Sequence, residues 1–376
     1  MARRKGKSQR KVKDWHIRYR AGEKTADDDS VRQKVQPRAV KLPASRLVAP
    51  EENLENLPKV EGMVAGLFPG GALVRTNARE LLCAVAKTYR APEGASPITV
   101  GDDVTVALAR PERAAGGADA DKVRADGLII SRQPRRTALS RPQPRSAKRT
   151  DRYETEITEK VIVANADLML IVASTVQPAL RHGLIDRFLI IAERGGLEPV
   201  LAVNKIDLAR PEEAVLTDLR RLQVRLFLCS AVTGEGLDAL REALAGRRTV
   251  LAGASGVGKS KLINALVPGA DAATREIRAK DHRGRHTTTA AAVYDLPGGG
   301  LLVDTPGLRE LGLGLKAAEL PWYFPEFEPF APKCRFRDCS HSREPGCAVQ
   351  AAVAAGDLPP RRYEGYLRIL ETIRQR

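Results

Sequence analysis

The chain has 376 residues, with Lys and Arg at 62 against Asp and Glu at 46, a net charge of +16 and only 4% aromatics. A hydrophobic fraction of 43% supplies packed cores and excludes a wholly disordered basic protein, while the length suggests about two to four domains. No apolar run approaches the ~18 residues of a membrane-spanning helix, and the N-terminus lacks the apolar segment of a secretory signal, which argues against an integral membrane protein; the excess charge favours a polyanionic partner, nucleic acid or an anionic membrane face.

Residues 1–58 carry dense Lys and Arg with little periodic apolar content and read as a disordered basic arm suited to nucleic acid. From Lys59 the pattern changes to short β-rich runs at 62–66, 72–75, 81–85, 103–107 and 127–130, separated by Gly and Pro turns. Five such strands predict a small β-barrel over 59–145, of the oligonucleotide-binding or the SH3-like kind, with Pro111–Ala120 as a mobile loop. The stretch 131–152, rich in Arg, reads as a linker with a strongly positive face.

Over 146–318 strands and helices alternate, which predicts a mainly parallel sheet flanked by helices. The expected strands are 168–173, 199–203, 224–229 and 249–251, the expected helices 180–193, 212–222, 237–244 and 259–267, and a hairpin follows at 291–304. Residues 319–376 differ again: a Pro/aromatic run, a cysteine cluster and a closing helix from about 361 to 374.

Gly253-Ala254-Ser255-Gly256-Val257-Gly258-Lys259-Ser260 fits G-xxxx-G-K-[ST] at every fixed position, between a strand and a helix. In that context the loop N–H groups and the helix N-terminus converge on a β-phosphate, Lys259 bridges β- and γ-phosphates, and Ser260 holds Mg²⁺. Lys261 follows on the helix, near an α-phosphate. Asp304-Thr305-Pro306-Gly307 ends an apolar strand in D-x-x-G form, which places the Asp304 carboxylate near the metal and the Gly307 N–H near the γ-phosphate. Between them, Gly284-Arg285-His286-Thr287-Thr288-Thr289 reads as a switch loop in which one threonine, taken as Thr288, completes the Mg²⁺ shell.

Asn204-Lys205-Ile206-Asp207 supplies the base specificity: Asp207 accepts from guanine N1 and N2, and Lys205 packs over the base plane. Ser230-Ala231, after the next strand, offers backbone to the guanine oxygen. The ligands are therefore GTP and GDP. The order is inverted relative to ordinary GTPases, with the guanine elements before the phosphate loop, as a circular permutation of the sheet would produce. Many GTPases carry Gln after the D-x-x-G glycine to orient water; here Leu308 stands there, so catalysis must come from elsewhere, and His286 beside the switch threonines is the in-chain candidate.

Cys334, Cys339, His341 and Cys347 offer three thiolates and one imidazole within a short polar segment, a set suited to one structural tetrahedral Zn²⁺, with Arg335, Arg337 and Arg343 between the ligands. Cysteines clustered in a chain without an export signal argue for metal in a reducing cytoplasm, whereas Cys83 and Cys229 sit in apolar runs and read as buried thiols.

Together the permuted motif order, the GRHTTT and DTPG segments, the Cys/His cluster and the barrel in front resemble the RsgA (YjeQ) family of ribosomal GTPases, over about residues 59–374. The resemblance implies an oligonucleotide-binding barrel, a circularly permuted GTPase domain and a C-terminal α-helical zinc domain, acting as a cytoplasmic monomer late in maturation of the small ribosomal subunit. It also implies rRNA contact and GTP hydrolysis that is weak alone and stimulated by that subunit, with hydrolysis coupled to release. The long basic arm and the insert in the barrel are elaborations on the family pattern. A rival reading is a non-catalytic RNA-binding assembly factor that holds GTP as a structural ligand. A GTP-dependent tRNA-modifying or translation factor is disfavoured by the permuted order.

Overall fold

The computed structural model describes residues 56–68, 70–87, 89–90, 98–109, 124–142, 159–270, 291–305 and 312–375. The basic arm up to residue 55 and the insert Pro111–Ala120 lie outside them. Strands β1 (Lys59–Phe68), β2 (Gly71–Arg75), β3 (Glu80–Val85), β4 (Asp103–Leu108) and β5 (Gly127–Arg132) close into a barrel in the order β1-β2-β3-β5-β4. Alternation drives the closure: Val64, Val74, Leu81, Cys83, Val104, Val106 and Ile129 all turn inward into one core. β3 and β5 pair in parallel while the other pairs are antiparallel. That contact belongs to the oligonucleotide-binding barrel and decides between the two barrel types left open by the strand count. Burial pushes the Cys83 and Cys229 thiols up to about 12, in keeping with small core residues.

The expected linker at 131–152 contains a strand. β6 (Ala138–Pro142) pairs antiparallel with β7 (Glu159–Ala164), and Leu139 is almost fully buried. β6 lies before and β7 after the boundary expected at 145/146, so this ribbon ties the barrel segment to the sheet that follows. Gly101, at φ 89, lies against the Ala164 carbonyl with no room for a side chain. Fully buried Asp102 accepts from Arg135 at 2.7 and 2.8 Å and from the Thr99 N–H at 2.7 Å, while Arg248 clasps Asp103 at 2.8 and 3.1 Å.

The main sheet has the order β10-β9-β8-β11-β13-β12, from β8 (Leu168–Ser174), β9 (Glu198–Asn204), β10 (Arg225–Leu228), β11 (Arg248–Gly253), β12 (Ala292–Asp295) and β13 (Leu301–Asp304). All neighbours are parallel except β12 with β13. β8 shows why both faces are covered: Met169, Ile171 and Ala173 enter one core, and Leu168, Leu170 and Val172 the other. Helix α1 (His182–Arg194) lies on the first face; α3 (Leu237–Leu244) and α4 (Lys259–Leu266) lie on the second. α2 (Glu213–Arg220) connects β9 to β10 and adds Leu219 to the first face.

The C-terminal segment shares the first core. Short 3₁₀ turns at Leu320–Tyr323, Pro325–Phe327 and Ala331–Lys333 precede α5 (Ala348–Ala355) and α6 (Pro360–Arg374). The sequence pattern does not predict α5, whereas α6 matches the expected closing helix. Phe324 stacks on Phe327 and Tyr366 meets both edge-on, with centroids 4.9–5.4 Å apart, and the three sit in the same core as Ile185 and Phe188 of α1. Arg362 crosses this seam: it pairs with buried Asp186 of α1, donates to Glu326 at 2.6 Å, and lies 4.3 Å from the Phe324 ring centre. Burial pushes the Asp186 carboxyl above its ordinary range and the Arg362 guanidinium pulls it back. Arg362→Met removes one partner of a desolvated pair and should cost about 3–5 kcal/mol in urea unfolding, whereas Asp186→Leu with Arg362→Met should cost less. Equal losses in the two proteins would show that the pair contributes only packing.

Candidate nucleotide and metal sites

In a parallel sheet the strands deliver their C-terminal ends to one edge, and there the motif residues meet. Register pairs Ser174 with Asn204, Val172 with Gly253, and Leu251 with Asp304, so β8, β9, β11 and β13 end side by side. The phosphate loop connects β11 to α4, and Gly258 caps the helix at φ 98 with Asn204 lying where a Cβ would project. The Lys259 ammonium reaches back to the Gly253 and Ala254 carbonyls at 2.9 and 2.6 Å, which holds its charge within the loop. Ser260 and Lys261 are exposed in the first turn of α4, and Ser255 and Gly256 are exposed in the loop, while Val257 is buried beneath it.

Asn204 joins the two halves of the site. Buried, it donates to the Val257 carbonyl at 3.0 Å and accepts from the Ala231 N–H at 3.0 Å. Ala231, expected to face the base through its backbone, thus gives its N–H to Asn204. The Ser230 hydroxyl donates to Asp207 Oδ1 at 2.6 Å and accepts from the N–H groups of Val232 and Thr233. Asp207 is exposed, while Ile206 is buried and donates its N–H to Cys229. Lys205 sits at φ 68, a strained setting for a lysine, and its ammonium donates to the Gln177 carbonyl. The structure therefore brings together the guanine and phosphate elements that the sequence separates, and sets Asp304 at the end of the strand beside the phosphate loop. His286, Thr288 and Gly307 lie outside the described residues.

Motif reading missed the segment Thr175–Pro178, which lies over the phosphate loop: a Cβ at Gly256 would stand 3.4 Å from Pro178 Cδ. The one available signal was its place directly after a fully buried strand.

The cysteine cluster is assembled at the other end of the chain. Ligand atoms of Cys334, Cys339, His341 and Cys347 lie within 4.8 Å of one another. Cys334 and Cys347 Sγ are 3.9 Å apart and each is 3.5 Å from His341 Nδ1. With Zn–S about 2.3 Å and Zn–N about 2.0–2.1 Å, a tetrahedron has S–S edges of about 3.8 Å and S–N edges of about 3.5 Å. The residues fit zinc, and the four of them would hold it with no position open for a substrate. Burial pushes the His341 pKa down and so favours the neutral imidazole a metal takes, while Glu344 partly opposes the shift. The surrounding groups fix the ligands: Ala348 N–H donates to Cys334 Sγ at 3.3 Å, and Tyr363 and Tyr366 of α6 donate to the His341 and Ser340 carbonyls at 2.7 and 2.6 Å. Arg335, Arg337 and Arg343 are exposed around the knuckle, and Arg335 stacks on Phe336 at 5.5 Å. Among the described residues no helix is long and apolar enough to cross a membrane.

Comparison with known proteins gives a consistent result. Residues 132–314 match the family model described as RsgA GTPase. A protein of Gemmatimonas aurantiaca named small ribosomal subunit biogenesis GTPase RsgA is 42% identical over 284 residues, covering 74% of this chain and 86% of the relative. A protein of Shewanella oneidensis with the same name is 36% identical over 323 residues, 84% of each chain. Among solved structures, YjeQ from Thermotoga maritima aligns with a TM-score of 0.61 at 29% identity over 85% of this chain and 100% of its own. YloQ, described as a circularly permuted GTPase, aligns at 0.60 with 26% identity over 86% and 98%.

Proposed function

Because the chain belongs to the RsgA family of circularly permuted GTPases and is a GTP hydrolase, we propose that it binds the small ribosomal subunit, assists its late maturation, and uses GTP hydrolysis to leave it. The observation that carries the reading is the single sheet edge at which Asn204 ties the phosphate loop to the guanine turn, with a barrel and a basic metal knuckle on the same chain. Membership of a GTPase family sets aside the non-catalytic reading.

In this reading the chain is organised as arm 1–58, barrel 59–145, GTPase domain 146–318 and zinc domain 319–376. The N–H groups of residues 253–258 and the Lys259 ammonium hold the β- and γ-phosphates, with Lys261 near the α-phosphate. Asp207 reads the guanine edge and Lys205 covers its face. Ser260, Thr288 and Asp304 would hold Mg²⁺, which when bound neutralises charge developing on the phosphates. The Gly307 N–H follows the γ-phosphate. Leu308 cannot orient water, so His286 does so, with turnover slow until the subunit completes the site. The exposed arginines of the knuckle supply rRNA contacts, together with the barrel and the basic arm.

Co-sedimentation with purified ribosomal subunits tests this. The protein should pellet with small subunits in the presence of a non-hydrolysable GTP analogue and less so with GDP. Equal partition onto large subunits would overturn the proposal.

A further inference from the structure

Resting on the guanine-site reading above, we propose that Thr175–Pro178 is a strap that fixes the spacing between the guanine turn and the phosphate loop, with Thr175 as its positioning residue. The chain leaves β8 at the edge where the site assembles and touches both halves within a few residues. The Thr175 hydroxyl donates to the Ala209 carbonyl at 2.7 Å, two residues past Asp207. The Gln177 carbonyl accepts the Lys205 ammonium. Pro178 rests over Gly256 of the phosphate loop, and the Ser174 hydroxyl donates to the Pro178 carbonyl at 2.9 Å, closing the segment on itself.

These contacts bear on one strained residue. Lys205 stands at φ 68, and a lysine persists in the left-handed region only where its surroundings over-determine it. The strap supplies that determination from outside the guanine motif: it anchors the side chain through Gln177 and the following turn through Thr175. Asn204 does the same from beneath, through Val257 and Ala231. The guanine turn is thus clamped on two sides. Thr175 anchors the strap on the guanine-turn side, at Ala209, so loosening that anchor should weaken the base half of the site more than the phosphate half.

The test uses the full chain and a fluorescent GDP analogue, with steady-state GTP hydrolysis alongside. Thr175→Val should weaken GDP about tenfold and raise KM for GTP by a similar factor with kcat held within about twofold, and Thr175→Ser, which keeps the hydroxyl, should restore both. Asp207→Asn is measured in parallel. If Asp207→Asn weakens GDP and Thr175→Val does not, the strap is overturned and the guanine reading stands. If Asp207→Asn leaves GDP binding unchanged, the guanine reading itself falls and the strap with it. A Thr175→Val loss that Thr175→Ser fails to rescue, or that appears in kcat rather than KM, reduces Thr175 to a packing residue and overturns the proposal.

Discussion

Replacing Asp207 by Asn is expected to lower affinity for GDP about 100-fold or more and to make xanthosine diphosphate the better ligand. A carboxylate accepting two N–H bonds from guanine N1 and N2 makes charge-assisted contacts, each worth about 1.5–3 kcal/mol, so loss of both spans roughly two orders of magnitude or more. The amide presents a donor where guanine also has one, and xanthine carries a carbonyl at that position. Locally the change is tolerable: Asp207 is exposed, and the Ser230 hydroxyl that donates to it at 2.6 Å can donate to an amide oxygen as well. Titration of both nucleotides by fluorescence checks this. Unchanged preference for GDP would remove Asp207 from the base site.

The second large effect concerns the metal. Cys347→Ala should take zinc from about one per chain to none and expose the C-terminal segment to limited proteolysis, because a structural zinc site contributes on the order of 10 kcal/mol to the fold that holds it. Cys347 immediately precedes α5, lies almost fully buried in the core shared with α1, and its sulfur is 3.9 Å from that of Cys334. Without the metal, the three thiols and His341 lose their common partner, and the Tyr363 and Tyr366 hydroxyls lose the fixed carbonyls they bind. GDP binding should survive, since no ligand of the cluster belongs to the sheet edge. Metal analysis and a protease time course on wild type and variant decide it; full zinc content in Cys347→Ala would refute the ligand set.

The parts of the fold that were readable in the sequence are those where one motif encodes a strand, a loop and a helix together. Gly253–Ser260 is such a motif, and so is Asn204–Asp207 at the end of β9. The inverted order of these two predicted the permuted sheet, since adjacency of strands depends on pairing and not on where the chain begins. β6 was hidden because Arg135, Arg136 and Arg141 surround the deeply buried Leu139, and charge density outweighed so short an apolar pattern. α5 was hidden because an alanine-rich stretch directly after Cys347 shows little helical periodicity. Neither the strap at Thr175–Pro178 nor the Asp186–Arg362 pair was legible at all. The first acts through backbone carbonyls, and the second joins residues 176 positions apart, so only the tertiary fold reveals them.

The decisive measurement is the rate of multiple-turnover GTP hydrolysis with and without purified small ribosomal subunits. With Leu308 where a water-orienting Gln would stand, the protein alone should turn over slowly and small subunits should accelerate it at least about tenfold. A rate that is already fast alone, or that small subunits leave unchanged, would contradict this expectation.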